Sequence, residues 1–407
     1  MNVHVITEAN RCYECKKPLC QMGCPIQTPI PQMVHLFKEG KLREAGNMLF
    51  ENNPLSVVCS IVCNHERQCE GNCIQGKKGQ PVHISAIENY ISESCLDQIK
   101  IPVPEWNGKR IACIGAGPAG ITIAIEMAKK GYQVTIFDAK DKIGGIMQYV
   151  IPAFRLPKSI LDRYRIKLQE TGIRIRPNTT IGGALEINDL FRDGYAAIFI
   201  GTGVWRPKKL SIKGESLGNV HFAIDFLANP DSYSLGDNVA IIGMGNTAMD
   251  VARTLLRKGT KNVTLYSRRL TCDASKDEME YARLDGAKFV YGKRIMEITD
   301  DGPIFDDNIF DEEGNIIGCK GEPQLYKADS TIVSVSQGPK SKLVNTTEGL
   351  KASSSGLLLT DDKGETTIPG IFAAGDVVLG AKTVVHAVAY SKKVAIAMDE
   401  YVKSLDK

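Results

Sequence analysis

A short apolar strand, a glycine-rich turn and a helix follow one another twice in this chain, and each set closes with a second strand. The first runs Arg110–Ile114, Gly115-Ala116-Gly117-Pro118-Ala119-Gly120, a helix over Pro118–Lys130, then Gln133–Phe137. The second runs Asn238–Ile242, Gly243-Met244-Gly245-Asn246-Thr247-Ala248, a helix over Thr247–Lys258, then Asn262–Tyr266. This order predicts two parallel βαβ units of the dinucleotide-binding kind, an internal duplication rather than a short-period repeat.

The residues within each turn have separate physical tasks. Gly115 permits the tight turn, Gly117 lets the backbone approach a pyrophosphate, and Gly120 lets helix and strand pack closely, with Pro118 and Ala119 opening the helix. The helix N-terminus then offers unsatisfied N–H groups to phosphate. Asp138 closes the second strand, where a carboxylate can accept from a ribose. In the second turn Gly243 and Gly245 keep the pattern, Asn246 and Thr247 follow, and Ala248 replaces the third glycine. Its second strand ends without an acid, at Ser267-Arg268-Arg269. Guanidinium groups there favour a 2′-phosphate, so NADP(H) is expected over NAD(H). The alternative is that Arg268 and Arg269 are solvated or pair with acids such as Asp273.

Two dinucleotide sites in one chain suit a flavin and a nicotinamide that exchange hydride, chemistry carried by the cofactors without a catalytic acid–base pair. Disulfide reduction needs a redox dithiol, and no CxxC lies beyond residue 15.

Eight of the twelve cysteines fall between Cys12 and Cys73. They form two runs, Cys12-x2-Cys15-x4-Cys20-x3-Cys24-Pro25 and Cys59-x3-Cys63-x5-Cys69-x3-Cys73. The first resembles a ferredoxin run, whose fourth cysteine ligates a different cluster. Eight thiolates suit two cubane clusters or two zinc ions, and zinc beside a flavin would be electronically idle. The region around them is helix-leaning, with segments over Ile30–Leu49 and Ile84–Leu96, and ends in a Pro-rich connector at Ile101-Pro102-Val103-Pro104.

Composition narrows the class. Fifty basic against 47 acidic residues leave a formal charge of +3, no general field for nucleic acid or an acidic membrane. No stretch approaches a membrane span, and the N-terminal residues lack a secretory pattern, so the expected address is cytoplasmic. The acidic run Asp300–Glu313 reads as a solvated loop or hairpin.

Taken together, the two cysteine runs, GAGPAG, Gly144-Gly145 leading to Ile151-Pro152-Ala153-Phe154-Arg155-Leu156-Pro157, Gly201-Thr202-Gly203, GMGNTAMD and Gly370-Ile371-Phe372-Ala373-Ala374-Gly375-Asp376 resemble the glutamate synthase small-subunit family of flavoproteins. That family includes the electron-input region of dihydropyrimidine dehydrogenase. The resemblance implies an α/β chain: a helical double [4Fe–4S] domain (1–105), an FAD domain (106–215 and 338–407), and an inserted Rossmann-like NAD(P)H domain (216–337). It implies FAD at the first site, with Gly145, Gly375, Asp376 and Thr383 added to the residues named above, and NAD(P)H at the second. It also implies that Cys12, Cys15, Cys20 and Cys73 hold one [4Fe–4S] cluster, and that Cys24, Cys63, Cys69 and Glu88 hold the other, leaving Cys59 unligated. Read without it, Glu88 is an exposed helix carboxylate. The family departs from this chain at Ser391, often glycine, and at Asp273, commonly proline. The implied partner is a substrate-bearing subunit, of the glutamate synthase or dihydropyrimidine dehydrogenase kind. A free-standing reductase with a ferredoxin-like acceptor is the second reading, and a zinc-stapled nucleotide-binding scaffold the third.

Overall fold

The computed structural model describes residues 4–405. The chain divides into two units. One takes in the chain up to Gln148, Ala153–Val204 and everything from Gly338 on; the other comprises Tyr149–Pro152 and Trp205–Gln337.

Helices build the N-terminal part of the first unit, around a core of Ile30, Met33, Val34, Leu49, Ile84, Ile87 and Ile91, against which Cys12, Cys20 and Cys73 pack. The segment expected as one helix over Ile30–Leu49 is two, Ile30–Lys38 and Leu42–Asn52. The break is a glycine stop. Gly40 takes φ +73°, its N–H reaches the Phe37 carbonyl at 3.0 Å and the Lys41 N–H reaches Leu36 at 2.9 Å. This is the paired bonding that closes a helix end when glycine supplies the left-handed residue.

The same unit contains a five-stranded parallel sheet in the order Ile371–Ala373, Tyr195–Ile200, Arg110–Ile114, Gln133–Phe137, Arg174–Arg176. The near-continuous apolar strands Arg110–Ile114 and Tyr195–Ile200 are buried because helices cover both faces. The outermost strand comes from the far end of the chain, so the sheet closes only after the second unit has been traversed. Within this unit the Lys158–Glu170 helix ties to the N-terminal helices: Arg163 bonds Asp97 at 2.9 Å and the Glu93 carbonyl at 2.8 Å, and Lys167 bonds the Ile99 carbonyl at 2.6 Å.

The second unit repeats the plan. Its parallel sheet runs Val220–Phe222, Ser330–Val333, Asn238–Ile242, Asn262–Tyr266, Lys288–Val290, again with the first βαβ strand in the centre. The acidic run lies in an antiparallel hairpin of Lys293–Thr299 and Gly302–Phe310, whose Phe305 stacks on Tyr266 with ring centroids 4.4 Å apart. Near its two ends the Lys208 N–H meets the Ser336 carbonyl at 3.1 Å. Among the described residues no helix is long and apolar enough to cross a membrane.

Candidate functional site

The two glycine turns are built alike. Each follows its central strand, and the N–H of its first glycine bonds the last carbonyl of the neighbouring strand: Gly115 to Phe137 at 2.8 Å and Gly243 to Tyr266 at 2.9 Å. Both first glycines hold positive φ, +106° and +119°, and both lie against a third strand's exit. A Cβ on Gly115 would stand 2.5 Å from the Gly201 oxygen, and one on Gly243 would stand 2.3 Å from the Ser334 oxygen. Gly120 is packed more tightly still, with a Cβ falling 1.9 Å from the Gly115 oxygen. The middle glycines face open space: a Cβ on Gly117 meets nothing nearer than 4.0 Å, and one on Gly245 meets nothing within 4 Å. That clearance is what a backbone needs in order to lie against a diphosphate. The helices that follow, Pro118–Ala128 and Asn246–Arg257, have no side-chain cap, so their first N–H groups remain for a ligand.

Further residues close the first cradle. Gly145 sits at φ +54° with a would-be Cβ 3.0 Å from the Gly117 Cα, and Gly375 at φ +77° with one 3.0 Å from the Ala119 Cβ. Asp138 turns back on the loop: its carboxylate accepts the Ala116 N–H at 2.6 Å and the Lys140 N–H at 2.8 Å. Burial raises its pKa and these bonds pull it back. The side chain thus shapes the turn. Asp376 is pushed up to about 6 by burial, with the Lys382 N–H at 3.2 Å drawing it down. The Thr383 hydroxyl lies 2.6 Å from His386 Nδ1. Ser391, on the Val384–Ser404 helix, is fully buried and its hydroxyl lacks a partner.

In the second cradle Asn246 does not point outward alone; its Oδ1 accepts the Ser275 N–H at 2.9 Å. Ala248, where the first copy has glycine, is fully buried. Thr247 sits between them at the start of the helix. The Ser267–Arg269 loop is fixed from the hairpin side. Asn308 donates to the Arg268 carbonyl at 2.7 Å, and the Lys293 N–H reaches the Ser267 carbonyl at 2.8 Å. Arg269 pairs with Asp273 at 3.1 Å, both side chains more than half exposed. Asn308, Gly201 and Ser334 were not anticipated as site residues. The Gly201-Thr202-Gly203 run was visible in sequence, but only the folded chain sets its carbonyl against Gly115.

The cysteines fall into two groups. Burial raises the Cys20 thiol to about 11, with Cys73, Cys12 and Cys15 as neighbours that add to the rise. Burial also raises Cys12, against the Glu14 N–H and the Lys38 charge, and its thiol neighbours are Cys73 and Cys15. In the other group Cys63 is raised by its hydrogen bond to Cys59, then by burial, with Glu88 and Cys69 nearby. Cys69 is raised by burial, with Glu88, Glu70 and Cys24 around it. Glu88 is buried rather than exposed, and burial with neighbouring Glu70 pushes it up to about 8.

Bound iron would supply the positive charge that holds such donors as thiolates and carboxylate. Among the described residues no three His, Cys, Asp or Glu side chains converge tightly enough to hold a single ion. Glu14, between Cys12 and Cys15, holds φ +47° and is clamped by Lys38 at 2.7 Å and His35 at 3.0 Å.

Two family models match the chain. Residues 1–99 match the family described as dihydropyrimidine dehydrogenase domain II, 4Fe-4S cluster, and residues 87–391 match pyridine nucleotide-disulphide oxidoreductase. The small chain of glutamate synthase [NADPH] from Azospirillum brasilense is 32% identical across 98% of this chain and 89% of its own. The chain belongs to the glutamate synthase small-chain family. This family member is also similar to the NAD-dependent dihydropyrimidine dehydrogenase subunit PreT of Salmonella typhimurium, 31% identical over 98% of this chain and 94% of that one. Its fold is shared with Mycobacterium tuberculosis FprA, solved in complex with NADPH: TM-score 0.62, 18% identity, covering 73% of this chain and 85% of that one. As a member of the glutamate synthase small-chain family it is an electron-transfer oxidoreductase, with an FAD and NAD(P) region and a 4Fe-4S domain.

Proposed function

We propose that this chain is the electron-input subunit of a larger enzyme, in which FAD takes hydride from NADPH and two [4Fe–4S] clusters carry single electrons to a partner that holds the substrate site. The observation that supports it most is the gathering of acidic donors into two sets, Cys12, Cys15, Cys20 and Cys73 in one, and Cys24, Cys59, Cys63, Cys69 and Glu88 in the other, of which the family resemblance leaves Cys59 unligated. Both belong to the unit that carries the first glycine cradle.

The chain's own residues bind and orient. The cradle of Gly115, Gly117, Gly120, Gly145 and Gly375 gives a flavin dinucleotide backbone N–H groups without side-chain obstruction. Asp138 and Asp376 offer acceptors to its sugar hydroxyls. Gly243 and Gly245 do the same for the nicotinamide dinucleotide, and Arg268 with Arg269 would meet a 2′-phosphate. Likeness to the Azospirillum small chain of glutamate synthase supports a partner of that kind.

The Arg269–Asp273 pair favours a second reading. If Asp273 keeps that guanidinium engaged, NADH is the donor and the partner is of the dihydropyrimidine dehydrogenase kind, as in the name of the Salmonella relative. An anaerobic spectral titration decides. Under the first reading NADPH bleaches flavin and the broad iron–sulfur absorption together, whereas bleaching by NADH alone selects the second. Flavin without iron after anaerobic preparation overturns the cluster assignment and returns the zinc scaffold.

A further inference from the structure

The segments that supply Cys12, Cys15, Cys20 and Cys73 present an unusual outer surface. Tyr13, Leu19, Met22 and Ile74 are large apolar side chains between 39% and 71% exposed. Each stands within two residues of one of those cysteines. The two segments are joined: a Cβ on Gly23 would fall 2.3 Å from Asn72 Nδ2, and Gln75 Nε2 donates to the Arg11 carbonyl at 2.6 Å. They therefore form one face rather than two unrelated loops.

The charges on that face are one-sided. Lys16, Lys17, Lys77 and Lys78 are exposed. Its acids are engaged locally: Glu14 by Lys38 and His35, Glu66 by Arg67 at 4.0 Å, and Glu70 by the Ser85 N–H at 2.9 Å and its hydroxyl at 2.7 Å. Exposed lysines on the same two joined segments as exposed apolar side chains have the make-up of a transient interface, in which charge steers and apolar side chains seat the partner.

We propose that this face is where an acidic one-electron protein docks to collect electrons. The proposal rests on the electron-input reading above and adds to it the site of exit and the charge of the partner. The balance is one NAD(P)H oxidised, one proton released and two acceptors each reduced by one electron.

The test uses the full holoprotein with two haem probes, acidic cytochrome b5 and basic cytochrome c, with neutral menadione as a small acceptor. The native chain reduces cytochrome b5 with a rate that falls steeply as salt is raised. The charge reversal Lys16→Glu, Lys17→Glu, Lys77→Glu, Lys78→Glu slows this about ten-fold or more at low salt. It leaves menadione reduction and the iron and flavin contents unchanged. A second variant, Met22→Ser with Ile74→Ser, keeps the charges and loses rate mainly at high salt, where steering is screened.

Native rates with cytochrome b5 that ignore both salt and charge reversal overturn the proposal. So does charge reversal that dissolves a dimer in sedimentation without slowing cytochrome b5, since the face then belongs to a second copy. Failure of the reading beneath it has its own mark, the absence of any NAD(P)H-driven bleaching before a protein acceptor is added, and it removes the docking proposal as well.

Discussion

Arg269 meets Asp273 at 3.1 Å, so the guanidinium we propose as a 2′-phosphate partner rests against a carboxylate four residues on. The pair is exposed and weak, of a kind contributing roughly 0.2–1 kcal/mol. A phosphate that arrives must displace it. Asp273→Asn is therefore expected to lower KM for NADPH by about 1.4- to five-fold, the same free energy read as affinity, and to leave NADH unchanged. Arg269→Ala is expected to raise KM for NADPH by about ten-fold, the loss of one charge-assisted phosphate contact. Steady-state KM values for both coenzymes check this; equal effects on NADPH and NADH would assign the pair to the surface alone.

The glycines of the first cradle differ in what they protect. A Cβ at Gly120 collides with the Gly115 oxygen at 1.9 Å, backbone against backbone, so Gly120→Ala must move the strand or the helix. It is expected to lower Tm as well as flavin content. Gly117→Ala has room in the folded chain. It should fold with native Tm in the flavin-free state and still lose most of its flavin, because the methyl fills the space of the diphosphate. Thermal melts with and without added FAD separate the two.

A buried carboxylate links the helix Val384–Ser404 to the residues that follow the first βαβ helix. Asp399 accepts from the Tyr132 hydroxyl at 2.8 Å, Lys130 at 3.0 Å and Lys403 at 2.9 Å. Burial works to raise its pKa, but these hydrogen bonds outweigh it and leave the group lowered. A carboxyl lowered on folding contributes stability above its unfolded pKa of about 3.9 and loses it as pH falls through the folded value. Asp399→Asn is expected to cost about 1–2 kcal/mol at neutral pH, discounted because Lys130 and Lys403 are partly solvated. The gap between wild type and variant should narrow as pH falls from about 5 to 3. Denaturant unfolding at several pH values measures it; a gap that stays constant excludes the carboxylate as its source.

Glu88 sits with Cys63 and Cys69 as neighbours. Glu88→Ala, which removes an oxygen donor, is expected to halve the iron, from about eight to about four per chain for two cubane clusters. Glu88→Gln keeps an oxygen at the same reach and should retain it. Iron and sulfide determination after anaerobic preparation gives the count, and full iron in the alanine variant would remove Glu88 from the ligand set.

Sequence was informative wherever backbone geometry demands one residue type. Strands Arg110–Ile114, Gln133–Phe137, Asn238–Ile242 and Asn262–Tyr266 form with the limits expected of them; the first and third are apolar runs stopped by an obligatory glycine, which leaves little freedom in where they end. Gly40 carried an equally local signal, but apolar residues on both sides continue the helical period and mask the stop. What sequence could not show were encounters between distant segments. Asn308 supports Arg268 across 40 residues, and the Gly201 carbonyl lies against Gly115. Cys59 has the same spacing cues as its neighbours and stands beside Cys63 in the fold, so neither spacing nor position separates it from the ligands that the resemblance implies.

The bond from Lys208 to Ser336 means that the inserted stretch leaves from nearly the same spot at which it arrived. A segment with adjoining ends can be excised or exchanged without re-threading the chain that surrounds it. Coenzyme preference is thereby open to inheritance as a cassette, and a lineage could trade one electron donor for another by recombination alone, leaving the flavin bed and the thiol-rich helices as they were.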